Sequence, residues 1–307
     1  MRIFYVTTQH PGLQGDLQEV SMLIGLRQIM GDDVIDVPRK KVMYGDFSNS
    51  PKNGLHGWGF TYFNRPIAEA ADYDVLPTKD DVVLYGVTNS YGVADMPELN
   101  DRARAVFYLD GRDPMRVDRF PCFKRELSTE DAIQHKGNIK PTGFGMPDHM
   151  IRPIDLTIKD QLHQKTWPKK IIDPNHREPD TSHYLFIDET EYYDDMARSW
   201  FGLSCKKGGW DCLRHYEILA AGSVLMIKDV DQKPPECSPQ HLQPLSYSSY
   251  EEAVDIMNGL VVDGRPTQEY LRILSEQRGA LRTTSTCAVR AQRLVQDIKS
   301  YLTGGWS

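Results

Sequence analysis

Residues 200–227 concentrate side chains able to bind an anion: Trp-Phe-Gly-Leu-Ser-Cys-Lys-Lys-Gly-Gly-Trp-Asp-Cys-Leu-Arg-His-Tyr-Glu-Ile-Leu-Ala-Ala-Gly-Ser-Val-Leu-Met-Ile. Lys206 and Lys207 stand beside the paired glycines Gly208 and Gly209, ahead of a helical pattern that holds Arg214 and Glu217. The first N–H groups of a helix lack intrahelical acceptors and carry partial positive charge, so a basic turn at a helix start suits a phosphate. A diphosphate would meet Lys206, Lys207 and Arg214. An ionised Glu217, one turn further, accepts two hydrogen bonds at once and suits a ribose diol. The competing reading is a capped surface helix with solvated charges. The double glycine beside two lysines, and polar residues clustered at one helix end, weigh against it.

The elements that must position these groups follow from periodicity. Residues 201–203 form a short apolar run before the turn, and Asp211 can cap the following helix. Leu213, Tyr216, Ile218, Leu219 and Ala220 give that helix its apolar stripe, Gly222 stops it, and 223–227 reads as a buried strand. The first half opens with a strand over 2–7, a turn-rich loop over 9–16, a helix over 17–30 capped by Asp16 and stopped by Gly31, and a second strand over 34–37. Further strands fit 82–85 and 105–109, the latter running into Asp110-Gly111-Arg112-Asp113. Alternating strands and helices in both halves predict an α/β fold of two doubly wound domains facing a cleft. Ligands in such sheets bind beyond the carboxyl ends of strands, which makes the loop with His10 and Asp16 a candidate. That loop has no Gly-x-Gly-x-x-Gly, against a simple dinucleotide site.

The remaining segments are read more coarsely. Arg39-Lys40-Lys41 is a solvated run or an acceptor contact, and Gly54, Gly57 and Gly59 interleave with His56, Trp58, Phe60, Tyr62 and Phe63 in a loop suited to a flat ligand or to surface packing. Residues 139–147, rich in Pro and Gly, read as a hinge, and 159–180 as an exposed connection. A strand is expected over 184–187, with helices over 189–198, from 248 onward with Ala253, Val254, Ile256 and Met257, over 268–281 and over 287–302.

The run from Gly208 to Gly222 resembles the donor-site motif of two-domain, GT-B type glycosyltransferases, in the branch that includes spore-maturation and phage-encoded glycosyltransferase-like proteins. The resemblance implies two Rossmann-like domains: an acceptor-side domain over 1–150, a nucleotide-sugar-binding domain over 151–286, and a terminal helix over 287–307 crossing back to the first. It implies Glu217 as ribose ligand and Arg214, Lys206 and Lys207 as phosphate ligands, with Gly208, Gly209, Trp210, Asp211 and His215 completing the donor site. The Asp-Gly-x-Asp at 110–113, followed by Phe-Lys-Arg-Glu-Leu at 123–127, is similar to the same family. Asp110 and Asp113 would then act on an acceptor hydroxyl and Arg125 would neutralise a phosphate; the alternative is a local ion-pair network among Asp110, Arg112, Asp113 and Arg125. Many retaining members carry a second glutamate where this chain has Gly209, so both stereochemical outcomes stay open. An inverting reaction needs a base, for which His10, Asp16, Asp110 and Asp113 are the candidates. His10 comes first because an imidazole titrates at about 6.5.

A chain of 307 residues with 40% hydrophobic residues and a net charge of -7 fits an ordinary two-domain protein, and neither half has the positive excess of a general polyanion binder. Five cysteines, Cys122, Cys205, Cys212, Cys237 and Cys287, include no Cys-x-x-Cys, which points to a reducing cytoplasm. No run is long enough for a signal peptide or a membrane span. Asp229-Val230-Asp231 after a strand is a weak metal signal that reads first as a structural loop, and the nine histidines show no ligand spacing. The expected activity is transfer of a sugar from a nucleotide-diphosphate sugar, UDP-sugar first, with no other cofactor. The acceptor hydroxyl stays open: small molecule, glycan, protein, or a hydroxylated base in DNA. The second class is a non-catalytic nucleotide- or glycan-binding protein.

Overall fold

The computed structural model describes residues 1–8, 16–44, 56–63, 65–68, 75–88, 96–177, 185–239 and 241–306. These form two compact units, one of 1–147, 234–238 and 286–307, the other of 148–233 and 239–285. The segment 234–238 and the terminal stretch from 286 therefore belong to the first unit, so the divide falls at 147 rather than 150 and the chain crosses more than once.

The first unit runs β1 (Ile3–Val6), α1 (Leu17–Met30), β2 (Val34–Val37), β3 (Val82–Val87), α2 (Pro97–Asn100), β4 (Ala105–Asp110), β5 (Cys122–Lys124), α3 (Thr129–Gln134) and β6 (Ile139–Pro141). Its sheet is parallel throughout, in the order β2-β1-β3-β4-β5-β6. All four β1 residues are buried, because a parallel strand is covered on both faces and reads as a continuous apolar run. Strand order reverses between β1 and β3, the usual ligand crevice of such sheets. The stretch 139–141, expected as part of a hinge, is instead the edge strand β6, paired with β5 from Cys122↔Ile139 to Lys124↔Pro141. Proline is compatible with that edge because no further strand needs its N–H.

The second unit runs β7 (Gln161–His163), α4 (Lys169–Ile172), α5 (Glu189–Ala197), β8 (Ser199–Cys205), α6 (Leu213–Ala221), β9 (Val224–Lys228), β10 (Leu245–Tyr247), α7 (Tyr250–Leu260), the hairpin β11 (Val261–Val262) and β12 (Arg265–Pro266), and α8 (Gln268–Thr284). Its main sheet is again parallel, in the order β10-β9-β8-β7. Two expectations are corrected here. Of the stretch 159–180, the described residues 159–177 are no exposed connection: they contain β7 and α4 and bury Gln164, Thr166, Trp167 and Ile172. Conversely, 185–187 is not a strand, and Leu185 and Ile187 are exposed at 47% and 76%; Tyr184 lies outside the described residues. The Gln164 side chain extends the β7 edge, giving its Nε2 to Leu203 O at 2.8 Å and taking Leu203 N at 2.9 Å, a pairing that no apolar pattern announces.

The chain then returns to the first unit with α9 (Cys287–Gly304), which packs on α1. Gly25 permits this approach, since a Cβ there would lie 2.0 Å from Cys287 O. Trp306 closes the end against Phe123 and Tyr301, each at 5.1 Å between ring centroids.

Candidate functional site

The basic turn leaves the carboxyl end of β8 and leads into α6. Lys207 N donates to Gly209 O at 3.1 Å, and Lys206 Nζ stands 5.1 Å from the Trp210 ring centroid, a cation–π contact. Gly208 is exposed, while Gly209 and Trp210 are buried. Asp211 does not cap the helix as expected. The N-cap is Cys212, whose side chain makes no capping bond, and Asp211 instead accepts the Tyr216 hydroxyl at 2.7 Å. The helix starts one residue later than the polar pattern indicates, because that buried hydroxyl needs an acceptor. Gly222 ends α6 in the left-handed region at φ 98°, as expected.

Glu217 is buried and accepts the Tyr192 hydroxyl on Oε2 at 2.6 Å. Burial and the neighbouring Glu217 push that hydroxyl's pKa well up, so it remains a donor. Burial opposes the charge on Arg214, yet Tyr192, Cys212 and Glu217 around it raise the guanidinium above its ordinary value. Tyr192 on α5 thus lies between Arg214 and Glu217 and ties them together. Sequence reasoning missed it; the only signal was a tyrosine pair on the preceding helix. His215 is fully buried, and burial, Arg214 and Lys207 push its imidazole down to about 3.

The first unit holds a second polar cluster at its strand ends. Asp16 caps α1, with Oδ1 accepting Gln18 N at 2.8 Å and Glu19 N at 3.2 Å. Burial and Glu19 push its carboxyl up to about 7 against these bonds and Arg125. Glu19 itself is buried and accepts Lys40 Nζ at 3.1 Å and the Thr8 hydroxyl. Lys40 is therefore not part of a solvated run, and Arg39 lies over Tyr44. His10 lies outside the described residues with the rest of 9–15, and so does Gly54. Tyr62, in the loop read as suited either to a flat ligand or to surface packing, is buried and donates to Gly145 O at 2.7 Å.

Asp110 has both carboxylate oxygens taken, Oδ2 by Arg112 at 2.7 Å and Oδ1 by Arg112 and Lys124. Arg125 pairs with Asp113 and Glu126 and gives Nη2 to Gly111 O. These residues form the local ion-pair network, strengthened by Lys124, which the sequence reading left out. Arg125 lies in the first unit, whereas the other expected donor ligands lie in the second. In the second unit Asp229 pairs with Lys228 at 3.0 Å and Asp231 is exposed. Among the described residues no group of three His, Cys, Asp or Glu is placed to hold a metal ion.

Chemically, the start of α6 can bind an anion through Lys206, Lys207 and Arg214, with a carboxylate one turn deeper for a polyol. Asp16 can exchange a proton near neutral pH. In comparison with known proteins, the chain matches no family model and no curated protein.

Proposed function

We propose that the chain is a nucleotide-sugar-dependent glycosyltransferase of the two-domain GT-B type, with the donor held by the second unit. The observation that supports this reading is local: Lys206, Lys207 and Arg214 lie around the start of α6, beyond the carboxyl end of the parallel strand β8, with Glu217 one turn further along the helix. In this reading the lysines and Arg214 stabilise the leaving diphosphate, an electrostatic contribution that in group transfer is usually the largest single one. Glu217, oriented by Tyr192, takes the ribose diol. UDP-sugar is the expected donor, and the acceptor is a hydroxyl group. If configuration inverts, Asp16 is a better base than Asp110, whose oxygens are already paired.

A second reading, a nucleotide-binding protein without turnover, is favoured by one observation. Asp110 and Asp113, two of the four base candidates, are engaged by Arg112, Lys124 and Arg125. A panel of sugar nucleotides, read by release of the nucleoside diphosphate and by binding calorimetry, separates the two. Release with at least one donor supports transfer; binding without release supports the second reading; neither binding nor release removes both.

A further inference from the structure

Four buried side-chain polar atoms without a hydrogen-bond partner fall on two successive residues: Nε and Nη1 of Arg214, and Nδ1 and Nε2 of His215. Both residues belong to the first turn of α6. Side chains of a helix as a rule lean toward its N-terminus, which for His215 is the side of the basic turn. The influence of Lys207 and Arg214 on its imidazole agrees with that direction. A neutral imidazole presents one N–H donor and one acceptor, and burying both unpaired forfeits their hydration with no return. An apolar ring of similar size would fill the same space without that loss. The fold gives no reason for a histidine there; a ligand at the helix start does.

We infer that His215 donates a hydrogen bond from its imidazole to a phosphoryl oxygen of the ligand held at the start of α6, beside Nε and Nη1 of Arg214. The inference rests on the proposed diphosphate site and adds a contact within it. The imidazole adds a directional donor without adding a fourth positive charge to a turn that already carries Lys206, Lys207 and Arg214. Arg214 and His215 together then read the phosphate by geometry, while the two lysines supply field.

Calorimetric titration of the full chain with UDP and with inorganic pyrophosphate tests this, on the wild type, His215→Phe, His215→Asn and a Lys206→Ala/Lys207→Ala double variant. Melting of each protein without ligand accompanies it. His215→Phe is expected to melt at or above the wild-type temperature while binding both ligands about tenfold more weakly, the loss of one charge-assisted hydrogen bond. His215→Asn, which keeps a donor, is expected within about threefold of wild type. Weaker binding by the lysine variant with unchanged binding by His215→Phe overturns the inference and leaves the site standing. Binding of neither ligand by the wild type, or unchanged binding by every variant, overturns the site and the inference together. If His215→Phe does not fold, the imidazole ¹⁵N resonances of the wild type decide: a shift on adding pyrophosphate supports the contact and an unmoved signal overturns it.

Discussion

Tyr192 makes Glu217 more than a loose carboxylate on a helix. The Tyr192 hydroxyl, donated at 2.6 Å, fixes the orientation of the buried carboxylate, so in the proposed function both residues contribute to nucleotide affinity. Glu217→Ala is expected to weaken UDP binding by about 1.5–3 kcal/mol and Tyr192→Phe by about 0.5–1.5 kcal/mol. Titration calorimetry checks both, and unchanged affinity for a folded Glu217→Ala protein would remove the ribose role. Asp16 carries a pH signature. Its carboxyl protonates at about 7 in the folded chain against an ordinary value of 3.8. Between these values the folded state holds more protons, so this contribution to stability is full at low pH and is lost as pH rises through that window. Asp16→Asn keeps a capping side chain without the charge. Relative to wild type it is expected to match at pH 4 and to gain on the order of 1–2 kcal/mol by pH 8. Urea melts across pH measure this, and a gain that does not grow with pH sinks it. The residue types of the proposed donor site stand out in the sequence because glycine, lysine and glutamate spacing is local. The Tyr192 contact and the role of Lys124 do not, because they depend on which element lies beside which.

At the scale of elements, two glycines show packing overriding helix and strand preference. In an exposed helix Gly→Ala stabilises by up to about 1 kcal/mol. At Gly25 the added Cβ would meet Cys287 O of α9 at 2.0 Å, and at Gly202 in β8 it would meet Ile218 of α6 at 2.3 Å. Gly25→Ala and Gly202→Ala are therefore expected to destabilise by about 1–3 kcal/mol each, with Gly25→Ala the larger because a backbone oxygen cannot rotate away. Thermal melts check the sign, and a raised melting temperature for Gly25→Ala would mean that α9 does not lie against α1. The same scale separates what the sequence revealed from what it hid. Strands β1 and β3 are continuous apolar runs and stand out. The edge strand β7 is Gln-Leu-His, with one apolar residue and a side-chain amide continuing the pairing, so its pattern resembles a loop. Residues 185–187 show the reverse: Leu-Phe-Ile has the composition of a strand, but its two aliphatic side chains are exposed.

The whole molecule divides its chemistry between its units, and the division can be tested. Apart from Arg125, the proposed donor-side residues from Tyr192 to Glu217 lie in the second unit, whereas α9 and Trp306 belong to the first although they come last in sequence. Alternating strands and helices made two parallel sheets legible, but the return of 234–238 to the first unit was not, because those five residues form no helix or strand that a periodicity could mark. Trp306 is buried, packs on Phe107, Phe123 and Tyr301, and donates Nε1 to Asp297 O at 2.6 Å. Trp306→Ala is expected to cost about 3–5 kcal/mol through the lost contacts and the cavity left behind. That loss belongs to the first unit alone. Differential scanning calorimetry should show the melting of the first unit moving down by several degrees while the UDP-induced stabilisation of the second unit persists. UDP affinity measured well below the first transition should stay within about twofold of wild type, since the proposed donor ligands are held by β8, α5 and α6. A loss of UDP binding comparable to that of Glu217→Ala in a still-folded Trp306→Ala protein would mean that the nucleotide depends on residues of the first unit, with Arg125 the first to substitute.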